Sequence, residues 1–164
     1  MFRNWRLSCL LVVVCGALAL GTPCYGQVYK PRIGFDDLLA EYGGSLHNGA
    51  GIKVFMPEAL SSGNYMPNSN HAQFVGKTIT NGTVPPNSGF SGHATNVGLQ
   101  LFGNTNSIAP GITNITGASA DDFVNRYTGF STGVEPIAQG FNVSNHSYIG
   151  TIPDAAVKTN LLGR

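Results

Sequence analysis

Cysteine is missing beyond residue 24: Cys9, Cys15 and Cys24 are the only three in the chain. Whatever follows can therefore form no disulfide, offer no thiol nucleophile and build no cysteine metal site. It must hold together by packing. Charge is also scarce. Charged residues make up 10% of the chain and nearly balance, at a net +1, which excludes the basic footprint of a nucleic-acid-binding protein. His47, His71 and His146 share no spacing that suggests a metal site, so no metal and no cofactor is expected. Long apolar runs are lacking too. The one candidate, residues 7–20, falls short of the roughly 20 residues a membrane-spanning helix needs.

That run sits in a recognisable setting. Arg3 and Arg6 precede it, its sequence is LSCLLVVVCGALAL, and a small, turn-prone stretch follows with Cys24 and Gly26 at −3 and −1 of a cut before Gln27. Positive start, apolar middle and small-residue site together describe a cleaved export signal. Val14 and Pro23 stand before Cys15 and Cys24 where a lipoprotein cut wants a small residue. Residues 1–26 are thus expected to be a signal peptide. The remainder is expected to be secreted or periplasmic, with no membrane association after cleavage. Residues 27–164 have the length of one domain at most. They are rich in glycine, asparagine, serine and threonine, which suits an extracellular fold of short strands and many loops. The sequons at Asn81, Asn114, Asn142 and Asn145 matter only in a eukaryotic host.

No repeat or charge block divides this part. Residues 33–42, IGFDDLLAEY, have apolar positions at helical spacing, and Gly43-Gly44 stops them. Residues 51–56, GIKVFM, read as a short strand bounded by glycine and Pro57. Residues 63–70 are loop-like and residues 80–92 are turn-rich. A helix is predicted over residues 94–102, with Ala94, Val97 and Leu101 on one face. A turn follows over residues 103–110, then a strand over 112–118. Another helix is predicted over 120–127, its start carrying Asp121 and Asp122, favourable for the helix dipole. A last strand is predicted over 140–150. Strands alternating with helices argue for an α/β fold with parallel pairing. Such a sheet normally has more strands than are found here, so a partial sheet, incomplete at the C-terminus, is expected.

Two segments carry chemistry. The first is GAGIKVFMPEA, residues 49–59, and the second is SGHATNVGLQLFGNTNSIAPG, residues 91–111. In this order and spacing they resemble the subtilisin-like serine peptidases. In that family a glycine-led strand ends in the triad aspartate. A G-H-G-T-H-V-A-G segment then places the catalytic histidine at the start of a buried helix, and a V-A-P turn and a further strand follow. The resemblance puts Glu58 on the aspartate, His93 on the histidine, and Ile108-Ala109-Pro110 on the turn. It likewise puts residues 145–150, NHSYIG, on the strand that receives substrate in extended form, making Ser147, Tyr148 and Gly150 substrate-binding. It covers residues 49–150.

The chemistry of two roles fits. A serine hydroxyl is a poor nucleophile until an imidazole takes its proton, and a carboxylate must hold that imidazole in one tautomer. Glu58, at a strand end, and His93, at a helix start, have the right groups, although glutamate is one methylene longer than aspartate. The departures are also specific. Ala59-Leu60 replace Thr-Gly, Ala94 replaces the glycine after the histidine, and Asn96 replaces the second histidine. No G-T-S-M-A nucleophile segment and no oxyanion asparagine are found before Arg164. The superficially similar Gly117-Ala118-Ser119-Ala120 precedes the substrate strand and so has the wrong order.

The resemblance therefore implies a secreted peptidase homologue, truncated before its nucleophile and inactive alone. A peptide or protein would be its substrate if a second half completed it. Two alternatives stay open: a non-catalytic secreted binding or surface module, and a degenerate product that folds poorly.

Overall fold

The computed structural model describes residues 25–86, 89–130, 135–138 and 140–149. Within them a four-stranded parallel sheet has the order β2-β3-β1-β4, formed by β1 (Lys53–Glu58), β2 (Thr78–Asn81), β3 (Asn114–Ser119) and β4 (Val143–Ser144). Helices α1 (Tyr25–Arg32), α2 (Phe35–Tyr42), α3 (Gly92–Phe102) and the short α4 (Ala120–Asp122) complete the fold. The class is α/β. The predicted signal segment lies outside the described residues apart from its last two positions, and the expected cut before Gln27 falls within α1.

β1 organises everything. Its five residues from Val54 to Glu58 are all buried, which is what a strand covered on both faces requires. Successive side chains alternate between faces. Val54 and Met56 join Ile115, Ile112, Phe74, Ala94 and Phe102 in the main core under α3. Phe55 points the other way, into Phe141 at 4.4 Å, Tyr127 at 4.8 Å and Phe123 at 5.9 Å between ring centroids. Each fully buried side chain of this size stabilises the fold by about 1.5–3 kcal/mol, so β1 anchors two small cores at once.

The sequence placed the end of β1 before Pro57, but the strand runs through it to Glu58. The reason is local. Lys53 and Phe55 direct their backbone polar groups to the β4 side, their carbonyls accepting from Asn142 N and Asn145 N, both at 2.9 Å. Pro57 shares that parity, and β4 pairs with β1 only at Val54 and Phe55. The missing N–H of Pro57 therefore faces a place where no ladder runs, which a sheet tolerates. This also explains why the strand expected over 140–150 shrinks to Val143–Ser144: beyond Phe55, β1 has no donor left for it.

Three other expectations are corrected. β2 lies partly in the stretch read as turn-rich, where Thr78, Ile79 and Thr80 supply a β-branched run that pairs in register with Asn114, Ile115 and Thr116. The predicted helix over 120–127 is one α-turn followed by a π-turn, Phe123–Tyr127. There Arg126 and Tyr127 both donate to the carbonyl of Gly82. In α3 the buried face is Ala94, Gly98 and Phe102, with Thr95, whereas Val97 and Leu101 are only partly buried against the core. Gly98 gives the reason. A Cβ there would stand 2.8 Å from Phe102 Cζ and 3.0 Å from Phe74 Cζ, so the helix packs closely on its glycine side. The helix of residues 33–42 forms from Phe35, with Gly43 at φ 52 as its stop.

Candidate functional site

Alternation along β1 decides where Glu58 goes. It is two residues beyond Met56 and so faces α3, at the carboxyl end of the strand. Open α/β sheets collect their ligands and reactive groups at that end.

α3 brings the partner. Ser91 caps it, its Oγ accepting from Ala94 N at 3.2 Å while its carbonyl accepts from Thr95 N at 3.0 Å and Thr95 Oγ1 at 2.8 Å. The Ser91 N–H is tied in turn to the Met66 carbonyl at 2.8 Å. With Ser91 buried and its backbone held on both sides, the first turn of α3 has little freedom. His93, the second residue of that turn, stands over Glu58. Its Nε2 is 3.3 Å from Glu58 Oε2.

The same nitrogen is 2.9 Å from the carbonyl oxygen of Ser147. A carbonyl only accepts, so Nε2 carries the hydrogen, and the basic lone pair of neutral His93 resides on Nδ1. This reverses the use of the two ring edges in a serine-peptidase triad, where the carboxylate takes Nδ1 and Nε2 works on the nucleophile. The His93 side chain is 54% exposed while Glu58 is 0% exposed, so the ring lies at the surface and its counter-charge beneath.

Glu58 is under electrostatic stress. Among the described residues neither carboxylate oxygen has a hydrogen-bond partner; the 3.3 Å approach of His93 is an ionic contact, not an aligned hydrogen bond. Burial without hydrogen bonds disfavours the charged form and pushes the carboxyl up to about 7, the positive character of His93 opposing the rise. A carboxyl that exchanges its proton near neutrality beside an imidazole at a sheet's carboxyl end marks a candidate proton-transfer site.

Above the pair opens a cleft of about 590 Å³, lined by Ala59, Leu60, Ser61, His93, His146, Ser147, Tyr148 and Ile149. The structure thus brings Glu58, His93, Ser147 and Tyr148 into one neighbourhood from segments far apart in the chain. Gly150 lies outside the described residues. Ile108-Ala109-Pro110 forms the turn between α3 and β3, as its position suggested. Ser147 also borders a second cleft with Tyr29, Ile33, Val97 and Ile108. Ser119, already excluded by chain order, uses its hydroxyl to cap α4, accepting from Asp122 N at 3.0 Å.

Sequence reasoning missed His146. Its Nε2 is 2.8 Å from Ser144 Oγ and its Nδ1 is 3.0 Å from Tyr148 Oη, and its ring packs on Phe123 at 4.6 Å. The signal was available in the Ser-x-His-x-Tyr spacing, since residues two apart on an extended chain share a face. His71 accepts from Gln73 N at 3.2 Å and so has a structural role, and His47 is exposed. Among the described residues no group of three histidine, aspartate or glutamate side chains is placed to hold a metal. The chain matches no protein-family model, no curated protein and no solved structure at a significant level.

Proposed function

We propose that this chain is a secreted homologue of the subtilisin-like serine peptidases that binds extended peptide across residues 145–150 and does not by itself turn peptide over. The observation that supports this reading most is the 3.3 Å approach of His93 to Glu58 at the carboxyl end of a parallel sheet. A carboxylate and an imidazole can hold and move a proton, but acyl transfer also needs an oxygen nucleophile within reach and donors for the oxyanion. Within residues 1–164 no segment resembling the family's serine motif follows the candidate substrate strand, and no counterpart of its oxyanion asparagine is found. Export rests on the N-terminal segment. Ser147, which borders both clefts, suits an extended ligand running from one to the other.

The test is the purified protein with a library of unstructured peptides, read in two ways. Peptide binding is expected to shift the NMR signals of the His93 ring and the backbone around Ser147, with no hydrolysis. Hydrolysis abolished by His93→Ala would overturn the inactivity. Absence of any binding at the cleft would overturn the peptide-binding reading. The alternative, a secreted binding module unrelated to peptidases, gains support from Ser147 O occupying His93 Nε2. It predicts a ligand whose affinity is indifferent to Glu58→Gln.

A further inference from the structure

We infer that Ser144, His146 and Tyr148 form a second reactive group beside the Glu58–His93 pair: a serine that accepts an acyl group from activated carboxylic esters. This goes beyond the peptidase-homologue reading, because its nucleophile is Ser144 and it requires no peptide, although His146 and Tyr148 also line the cleft above Glu58 and His93.

Ser144 ends β4, His146 and Tyr148 follow it at spacings of two, and hydrogen bonds join the three side chains in a row. Ser144 Oγ lies 2.8 Å from His146 Nε2, and Tyr148 Oη lies 3.0 Å from Nδ1. A nucleophile on one ring nitrogen and an orienting group on the other is the arrangement that activates a serine. Phe123, whose ring meets the imidazole at a tilt of 59° with centroids 4.6 Å apart, restrains it. Partial desolvation of its ring lowers His146 below its ordinary protonation range, which favours the neutral base over the cation. Tyr148 is held above its ordinary range by burial and by the charge of Glu58. It therefore stays a neutral phenol, and a weakened donor suits its oxygen to accept from Nδ1–H. That tautomer leaves the lone pair on Nε2, facing Ser144. Ser144 and His146 are both exposed, so an ester can reach them.

The step balances without a co-reactant. Ser144 Oγ bonds to the ester's carbonyl carbon as its proton passes to His146 Nε2. The carbon–oxygen bond to the leaving group then breaks, its electron pair departs on that oxygen, and the proton on Nε2 passes to the leaving group or to solvent. Because the proposal includes no preorganised oxyanion donors, only esters with good leaving groups are substrates, and peptide bonds are not.

The test uses the full protein with p-nitrophenyl acetate. The expected result is release of one p-nitrophenolate per chain and an acetyl group located on Ser144 by peptide mass mapping. His146→Ala is expected to slow acetylation roughly 100-fold or more, the contribution of a positioned general base, and His47→Ala to leave it unchanged. In case a variant fails to fold, imidazole 15N NMR of the unaltered protein provides an independent reading. It should show the Nδ1–H tautomer of His146, lost in Tyr148→Phe. An Nε2–H tautomer in the unaltered protein would overturn the proposal. So would absence of acetyl at Ser144, or acetylation insensitive to His146. None of these outcomes bears on peptide binding at Glu58 and His93, so the two readings fail separately.

Discussion

Nε2 of His93 stands 3.3 Å from Oε2 of Glu58, although 34 residues separate them in the chain and one is fully buried while the other is more than half exposed. The contact follows from two independent local devices. Strand alternation turns Glu58 toward α3, and the Ser91 cap fixes where α3 begins.

The burial of Glu58 makes stability depend on pH in a defined direction. Its carboxyl is raised from 4.5 to about 7 in the folded chain, so between those values the native state binds the proton that the unfolded state releases. The associated stability is fully present below pH 4.5 and is lost as pH rises through about 7. The shift corresponds to on the order of 3 kcal/mol. Glu58→Gln, which keeps the shape and removes the charge, is expected to raise the melting temperature at pH 8 relative to the unaltered protein and to change it little at pH 4. Thermal unfolding followed by circular dichroism across this range is the check.

The Ser91 cap is expected to matter twice. Ser91→Ala removes the side-chain acceptor for Ala94 N, and loss of such a cap costs about 1 kcal/mol. The same substitution frees the turn that carries His93. Urea denaturation should report the stability loss, and the His93 ring signals should broaden or move in the variant.

Gly98→Ala tests the close packing of α3. Alanine is the better helix former by about 1 kcal/mol, but its Cβ would stand 2.8 Å from Phe102 Cζ and 3.0 Å from Phe74 Cζ, both in the main core. Overpacking of a filled core costs about 1–3 kcal/mol. The variant is expected to lose about 1 kcal/mol net, measured by denaturant unfolding; a gain in stability would show that α3 sits farther from the sheet.

Much of this arrangement was legible because it rests on short-range patterns. The run from Lys53 to Met56 announces a strand, the Ala94 to Phe102 stretch a helix, and the Glu58–His93 pairing followed from a strand end and a helix start, whereas the Ser91 cap appears only in the structure. What escaped depends on contacts between segments. Gly98 carries no hydrophobic signal, so the apolar period pointed to Val97 and Leu101, and only the rings of Phe74 and Phe102 reveal that the glycine side is the buried one. β2 was hidden because Asn81-Gly82 reads as a turn until β3 is there to pair with Thr78–Asn81. The shortness of β4 depends on which side of β1 Pro57 faces, a parity that appears only once the strand order is known. The hydrogen bonds of His146 to Ser144 and Tyr148 escaped notice because its partners are two residues away on either side, where sequence reading looks for alternating faces and not for hydrogen bonds.

The account stands most directly on the coupling between Glu58 and His93, and side-chain 13C NMR of the glutamate carboxyls against pH measures it. Glu58 is expected to titrate near 7 in the unaltered protein. In His93→Ala its midpoint is expected to rise further, because the imidazole's positive character is what opposes the effect of burial. A midpoint near the ordinary 4.5, or one that His93→Ala leaves unmoved, would contradict the pairing on which the proposed site is built.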